Sequence, residues 1–239
     1  MSRPVIIVAH GQPSEPAPQQ AAIEALAASV APLAAGPVIG ATLASPGALE
    51  TALAQAPDAL IYPMFMAAGW FTGKELPRRL ALAGAGNAHI LPPFGTDPGL
   101  ANLCAATAGR AARDAGWEAF DITLLLIAHG SQQARASALG AMSMAGQLAP
   151  DFGQIVLGFI EEAPFLAEAA RGLGPGTVAL PFFATRAGHV TDDIPQALGA
   201  AGFTGICLPP IGLCPEVPAL IADAIKRGDA AIAQARADA

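Results

Sequence analysis

The chain has 239 residues, 53% hydrophobic and 13% charged, with 12 basic against 19 acidic residues and a formal net charge of −7. That length fits one large domain or two small ones, and the apolar share is enough for a core while leaving little for a disordered tail. No Lys/Arg run exceeds two (Arg78-Arg79, Lys226-Arg227), so the basic stripe that a nucleic-acid partner needs is missing. The three cysteines, Cys104, Cys207 and Cys214, form no C-x-x-C, which argues against a disulfide framework or a zinc ribbon. The apolar run before His10 is shorter than a signal-peptide core, and no apolar span of ~20 residues lacks Pro or charge. The expectation is a soluble, cytoplasmic protein with no membrane partner.

In chain order, short β-branched runs alternate with Ala/Leu-rich stretches. Residues 4–9 are a continuous apolar run closed by Gly11 and Pro13, the pattern of a parallel strand buried on both faces. Residues 19–31 read as helix and 37–41 as a short strand. Ser45 and Pro46 read as N-cap and first residue of a helix over 47–55. A strand at 59–66, a helix over 72–82 containing Pro77, a short strand at 89–92 and a helix over 100–115 complete a first set. The pattern restarts with strand 122–128, helix 132–148, strand 154–159, helix 164–171, strand 177–183, helix 191–201, strand 205–208 and a helix over 216–237. This alternation predicts right-handed βαβ units: an α/β chain of two tandem Rossmann-like domains, each a mostly parallel sheet flanked by helices.

The two sets repeat one another. Val8-Ala9-His10-Gly11 matches Ile127-Ala128-His129-Gly130. Gly40 to Pro46 matches Gly158 to Pro164, Pro63-Met64-Phe65 matches Pro181-Phe182-Phe183, and Leu76-Pro77 matches Ile194-Pro195. The offset is 119 for the first pair and 118 for the rest. The repeats are assigned to 1–118 and 119–239, with the boundary near 116–120.

Ligands of open α/β sheets bind beyond the carboxyl ends of the strands, and there the repeats differ. The second has His129 after its first strand, Glu161-Glu162 after its second and His189 after its third. The first keeps His10 but has Leu43-Ala44 in place of the glutamates. It also has Gly69-Trp70-Phe71, one residue longer and without histidine, in place of Gly188-His189. Two imidazoles and a carboxylate make a borderline-soft divalent metal site with open positions, and imidazole also accepts protons near neutral pH. Pattern alone leaves Glu161 and Glu162 open, since a strand points them to opposite faces.

At these residues the chain resembles the class II tetrapyrrole chelatases, specifically the two-domain CbiX-like sirohydrochlorin cobaltochelatases and ferrochelatases. The segments that carry the resemblance are LLLIAHGS (124–131), GFIEE (158–162) and PFFATRAGHVTDDIP (181–195). It extends over nearly the whole chain and implies the chelatase-like fold. It implies insertion of a divalent metal into sirohydrochlorin or a related tetrapyrrole, in cobalamin or siroheme biosynthesis. Co2+ is favoured, with Fe2+ or Ni2+ as alternatives. The metal would be a substrate with no permanently bound cofactor, and His129, His189 and Glu161 would be both metal ligands and catalytic residues. The first repeat departs from the pattern at Leu43 and Trp70, so a second complete site is not expected.

The macrocycle is flat and multiply carboxylated, and a cleft between the halves is the expected place for it. His10, Trp70, Phe71 and Arg186 are expected to contact it. Lys74, Arg78 and Arg135 are further candidates for its carboxylates. A monomer or a homo-oligomer is expected. A histidine phosphatase is disfavoured, because Ala9 and Ala128 stand where an arginine would precede the histidine. Nucleotide binding lacks a P-loop. The non-enzyme alternative is a metal or tetrapyrrole carrier of the same fold.

Overall fold

The computed structural model describes residues 3–131, 136–186 and 188–238, without the side chains of His189 and Arg236. Its strands and α-helices in chain order are β1 Val5–Ala9, α1 Pro16–Val30, β2 Val38–Thr42, α2 Ala48–Gln55, β3 Leu60–Pro63, α3 Leu76–Leu82, α4 Leu100–Asp114 and β4 Thr123–Ala128. They continue with α5 Ala136–Leu148, β5 Gln154–Phe159, α6 Leu166–Ala169, β6 Thr177–Pro181, α7 Ile194–Ala200, β7 Ile206–Cys207 and α8 Val217–Ala237. A π-helical turn precedes α3 at Phe71–Glu75 and α7 at His189–Asp193.

Two parallel sheets result, ordered β2-β1-β3 and β5-β4-β6-β7. This is the α/β architecture that the alternation predicts. The central strands β1 and β4 are buried along nearly their whole length, as an uninterrupted apolar run requires. In the first sheet, Ile6, Val8 and Ile61 pack against Leu49, Leu53, Leu76 and Leu80. In the second, Leu125, Ile127 and Ala179 pack against Leu166, Ile194 and Leu198. Within each sheet all strands run the same way, so whatever follows β1 and β4 emerges at the carboxyl edge of its own sheet. Among the described residues, no helix is long and apolar enough to cross a membrane.

The compact units are cut differently from the sequence repeats. One joins the residues up to Asp97 with those from Pro215 onward, and the other is Pro98–Cys214. Helix α4 closes the first repeat in sequence but packs on α5 and β6, whereas α8 packs on α1. Each unit thus carries the last helix of the other repeat.

Several expected elements are shorter, among them the strands expected at 59–66 and 177–183, which are Leu60–Pro63 and Thr177–Pro181; residues 132–135 of the helix expected at 132–148 lie outside the described residues. The strand at 89–92 is a single bridge, Ile61 beside Ile90, because Pro92 and Pro93 cannot donate to a ladder. The helix over 164–171 is reduced to α6, since Pro164 and Phe165 run alongside Phe159 instead. The last strand of the second sheet is only Ile206–Cys207. The two helices containing Pro77 and Pro195 each begin in a π turn. A proline in the first turn lacks the N–H that would close a regular turn, which accommodates this wider start.

Candidate active site

His129 is the first residue after β4. The chain then turns at Gly130, whose φ of 70° suits glycine. A Cβ there would stand 2.9 Å from both Cγ and Oε1 of Glu162, so the turn depends on glycine for space as well. His129 Nδ1 lies 2.7 Å from the Gly130 carbonyl oxygen. A carbonyl only accepts, so Nδ1 carries the hydrogen and the lone pair of the neutral ring belongs to Nε2. Nε2 lies 3.6 Å from Glu161 Oε1.

The chain after β5 brings the glutamate in. The Glu161 backbone N–H donates to the His129 carbonyl at 3.0 Å, which continues the β4–β5 pairing one step past the strands. Glu161 then extends toward the imidazole. Glu162 turns the other way, and its Oε1 accepts the Ser131 N–H at 2.8 Å. The two carboxylates that pattern could not separate therefore face different partners. His129 and Glu161 side chains are 38% and 46% exposed, so the pair is open to a ligand from solvent. Two atoms each ~2.1 Å from a tetrahedral ion stand roughly 3.4 Å apart, close to the observed separation.

His189 opens the π turn after β6, the strand beside β4, and so belongs to the same sheet edge. Its side chain lies outside the described residues, and so does Arg135. Among the described residues, no three His, Cys, Asp or Glu side chains converge as a metal set. Arg186 is exposed in the loop after β6.

The other unit repeats the backbone with different chemistry. His10 follows β1, and the Ala44 N–H donates to its carbonyl at 2.9 Å. By this bond Ala44, not Leu43, is the counterpart of Glu161. The register agrees, because Thr42 pairs with Ala9 as Phe159 pairs with Ala128. The match of Gly40 with Gly158 is therefore one residue out of step. The two glycines lie on opposite faces of their strands, Gly40 against the Ile23 backbone and Gly158 against Leu166.

The π turns also correct the first repeat's loop. They begin at Phe71 and His189 and are followed at once by α3 and α7, so the spacing is equal and Phe71, not Trp70, occupies the place of His189. The Phe71 ring lies 4.3 Å from the His10 ring, and Trp70 meets it edge-on at 5.0 Å. Where the second unit has a histidine, this one has an aromatic cluster. Burial, and after it the charge of Arg79, hold the His10 imidazole below its ordinary pKa.

Arg78 is bound to Glu75 by a two-point contact at 2.8 and 2.9 Å. Arg79 donates to Glu75 Oε1 at 2.8 Å and to the Leu43 carbonyl at 2.7 Å. The two guanidiniums bring the Glu75 carboxyl down to about 2. This clamp ties the π turn to the end of β2. Sequence reasoning missed it, although Glu75-x-x-Arg78-Arg79 is an i, i+3, i+4 pattern.

The CbiX family model matches residues 4–111 and 123–228, once on each repeat. The chain belongs to the CbiX family. Among solved structures, CbiX described as the terminal enzyme for biosynthesis of siroheme in denitrifying bacteria is 59% identical. That match has a TM-score of 0.89 over 94% of this chain and 99% of the other. SirB from Bacillus subtilis with Fe3+ is 16% identical, with a TM-score of 0.74 over 95% and 96% of the two chains. The sirohydrochlorin chelatase SirB from Bacillus subtilis subspecies spizizenii in complex with cobalt is 14% identical, with a TM-score of 0.70 over 95% of each chain. The two SirB likenesses carry the fold alone. No curated protein sequence matches the chain.

Proposed function

We propose that this CbiX-family enzyme inserts a divalent metal into sirohydrochlorin, with His129, Glu161 and His189 handling the metal. The observation that carries the reading is His129 Nε2 standing 3.6 Å from the Glu161 carboxylate at the open end of β4. A lone pair and a carboxylate oxygen facing each other repel unless positive charge lies between them, and a divalent ion or a proton supplies it.

Insertion exchanges two pyrrole N–H protons for one M2+. His129 and Glu161 hold the ion through few bonds, which leaves coordination positions for the incoming nitrogens. As the ion passes to the macrocycle, the Nε2 lone pair becomes available and accepts one pyrrole proton, and the carboxylate takes the other. Both sites then release their protons to solvent. Arg186 is proposed to pair with a macrocycle carboxylate.

Fe2+ is the proposed cargo. The family resemblance favours Co2+, but siroheme, the product named for the 59% identical relative, is an iron tetrapyrrole. The test is an anaerobic absorbance assay with sirohydrochlorin and Fe2+, Co2+ or Ni2+, each in excess over protein. Many turnovers, fastest with Fe2+ and reduced at least tenfold by Glu161→Gln, are expected. Stoichiometric binding without turnover would make the protein a carrier, and an undiminished Glu161→Gln would remove Glu161 from the mechanism.

A further inference from the structure

A strand at a sheet edge presents unpaired backbone groups, and proteins usually block it. Three of the four edges here are blocked. The outer groups of β3 are taken at 89–91, where the Ile61 N–H donates to the His89 carbonyl and the Leu91 N–H to the Ile61 carbonyl. β7 is only two residues long.

The β2 edge is closed by one side chain. Pro37 and Leu43 bond to β1, so by ladder alternation residues 38, 40 and 42 face outward. The Gln20 carboxamide of α1 occupies that row. Its Nε2 donates to the Gly40 carbonyl at 3.0 Å, and its Oε1 accepts the Thr42 N–H at 2.8 Å and the Thr42 hydroxyl at 3.0 Å. Nε2 also donates to Glu24. Gln20 thus stands in for a neighbouring strand.

Among the described residues, the β5 edge has no such plug. Gln154 and Ile160 donate to β4, so residues 155, 157 and 159 face outward. The Phe159 N–H is taken by the Pro164 carbonyl at 3.0 Å. The outward groups of Ile155 and Leu157 have no partner among the described residues. They open on a groove of about 560 Å³ walled by Leu139 and Met142 of α5. These two side chains, one turn apart, are 57% and 56% exposed. They occupy the part of the repeat where α1 carries Gln20 and Glu24.

We propose that β5 is the contact through which two copies of this chain pair, antiparallel, about a twofold axis at Val156. The geometry is self-complementary. Ile155 falls opposite Leu157 of the second copy and Leu157 opposite its Ile155, and each such pair exchanges N–H and C=O. The face also suits a second acidic copy. On a chain of net charge −7, the only charged residue among the described residues lining the groove is Glu162, whose carboxylate is held by the Ser131 N–H. Like-charge repulsion is therefore small where the copies meet. Leu139 and Met142 become covered, and the two second-unit sheets join into one.

The test is sedimentation of the full chain between about 1 and 100 μM, a range that spans weak and moderate protein association. Twice the chain mass of 23.9 kDa is expected at the upper end. The double variant Leu139→Glu/Met142→Glu is expected at the single mass, with circular dichroism unchanged. Hydrogen exchange on the wild type needs no variant: the Ile155 and Leu157 amides should exchange at least tenfold more slowly in the concentrated sample. A wild type that stays at the single mass, a double mass that survives the folded double variant, or amides indifferent to concentration would each overturn the proposal. Indifferent amides on a single-mass chain would leave the edge to a different protein.

Discussion

Gly130→Ala tests the loop that holds the candidate site together. The substitution places an L side chain at φ 70°, which costs about 1–2 kcal/mol. It also drives a Cβ into Glu162, whose Cγ and Oε1 lie 2.9 Å away. Moving that carboxylate breaks its bond to the Ser131 N–H, a further ~1–2 kcal/mol for a charged acceptor at a half-exposed position. The sum is roughly 2–4 kcal/mol, or a fall in Tm of about 5–15 °C for a chain of this length. Gly116→Ala is the control. Its φ of 79° is similar, but nothing lies within 4 Å of the added Cβ, so it should lose only the backbone part. Calorimetry of both variants, and of Gly130→Ala in a Glu162→Ala background, separates the contributions. In that background the collision with Glu162 is gone and only the Phe159 Cβ, 3.0 Å from the added Cβ, remains, so Gly130→Ala should cost less than in the wild type and approach the loss of Gly116→Ala. Equal losses for the two single variants, with Glu162 intact, would refute the close approach.

Three further outcomes follow from charged groups. The Glu75 carboxyl is held at about 2 against an ordinary 4.5, so its contribution to stability is complete above the ordinary value and lost as pH falls toward 2. Glu75→Gln should lower Tm at neutral pH and flatten the acid limb of a Tm-against-pH curve. Arg227 faces Asp97, whose side chain is 4% exposed while that of Arg227 is 49% exposed. Arg227→Met should therefore cost about 2 kcal/mol in urea unfolding, below the figure for a fully buried pair. The His10 imidazole is depressed by burial first and by Arg79 second. Arg79→Met should raise its NMR titration midpoint without restoring the ordinary value. A depressed imidazole also means that stability falls as pH drops below the ordinary histidine range.

Much of the fold was legible because buried parallel strands write themselves as apolar runs: the cores of 4–9, 122–128 and 177–183 are all strands. The exchange of α4 and α8 between compact units was not legible, because an amphipathic helix shows which face it buries but not against which sheet. At the site, His129 and its strand end were plain in Ala-His-Gly. The separate directions of Glu161 and Glu162 depend on the backbone beyond β5, where the Glu161 N–H reaches the His129 carbonyl. The equivalence of Phe71 with His189 was hidden because anchoring on Gly69 and Gly188 suggested an insertion. The π turns, set by Pro77 and Pro195, restore equal spacing. Gln20 left no signal at all, since a glutamine closing a strand edge looks in sequence like any helix-surface residue.

The central claim is that the chemistry resides in the second repeat, at His129, although both repeats end their first strand in the same three residues. The most direct test compares the rate of Fe2+ insertion into sirohydrochlorin by His129→Ala and His10→Ala, followed anaerobically by absorbance under identical conditions. The account predicts that His129→Ala loses at least 100-fold in rate, about 3 kcal/mol of transition-state stabilisation, while His10→Ala loses no more than about tenfold. A His129→Ala enzyme as fast as the wild type, or a His10→Ala enzyme that is the more damaged of the two, would contradict it.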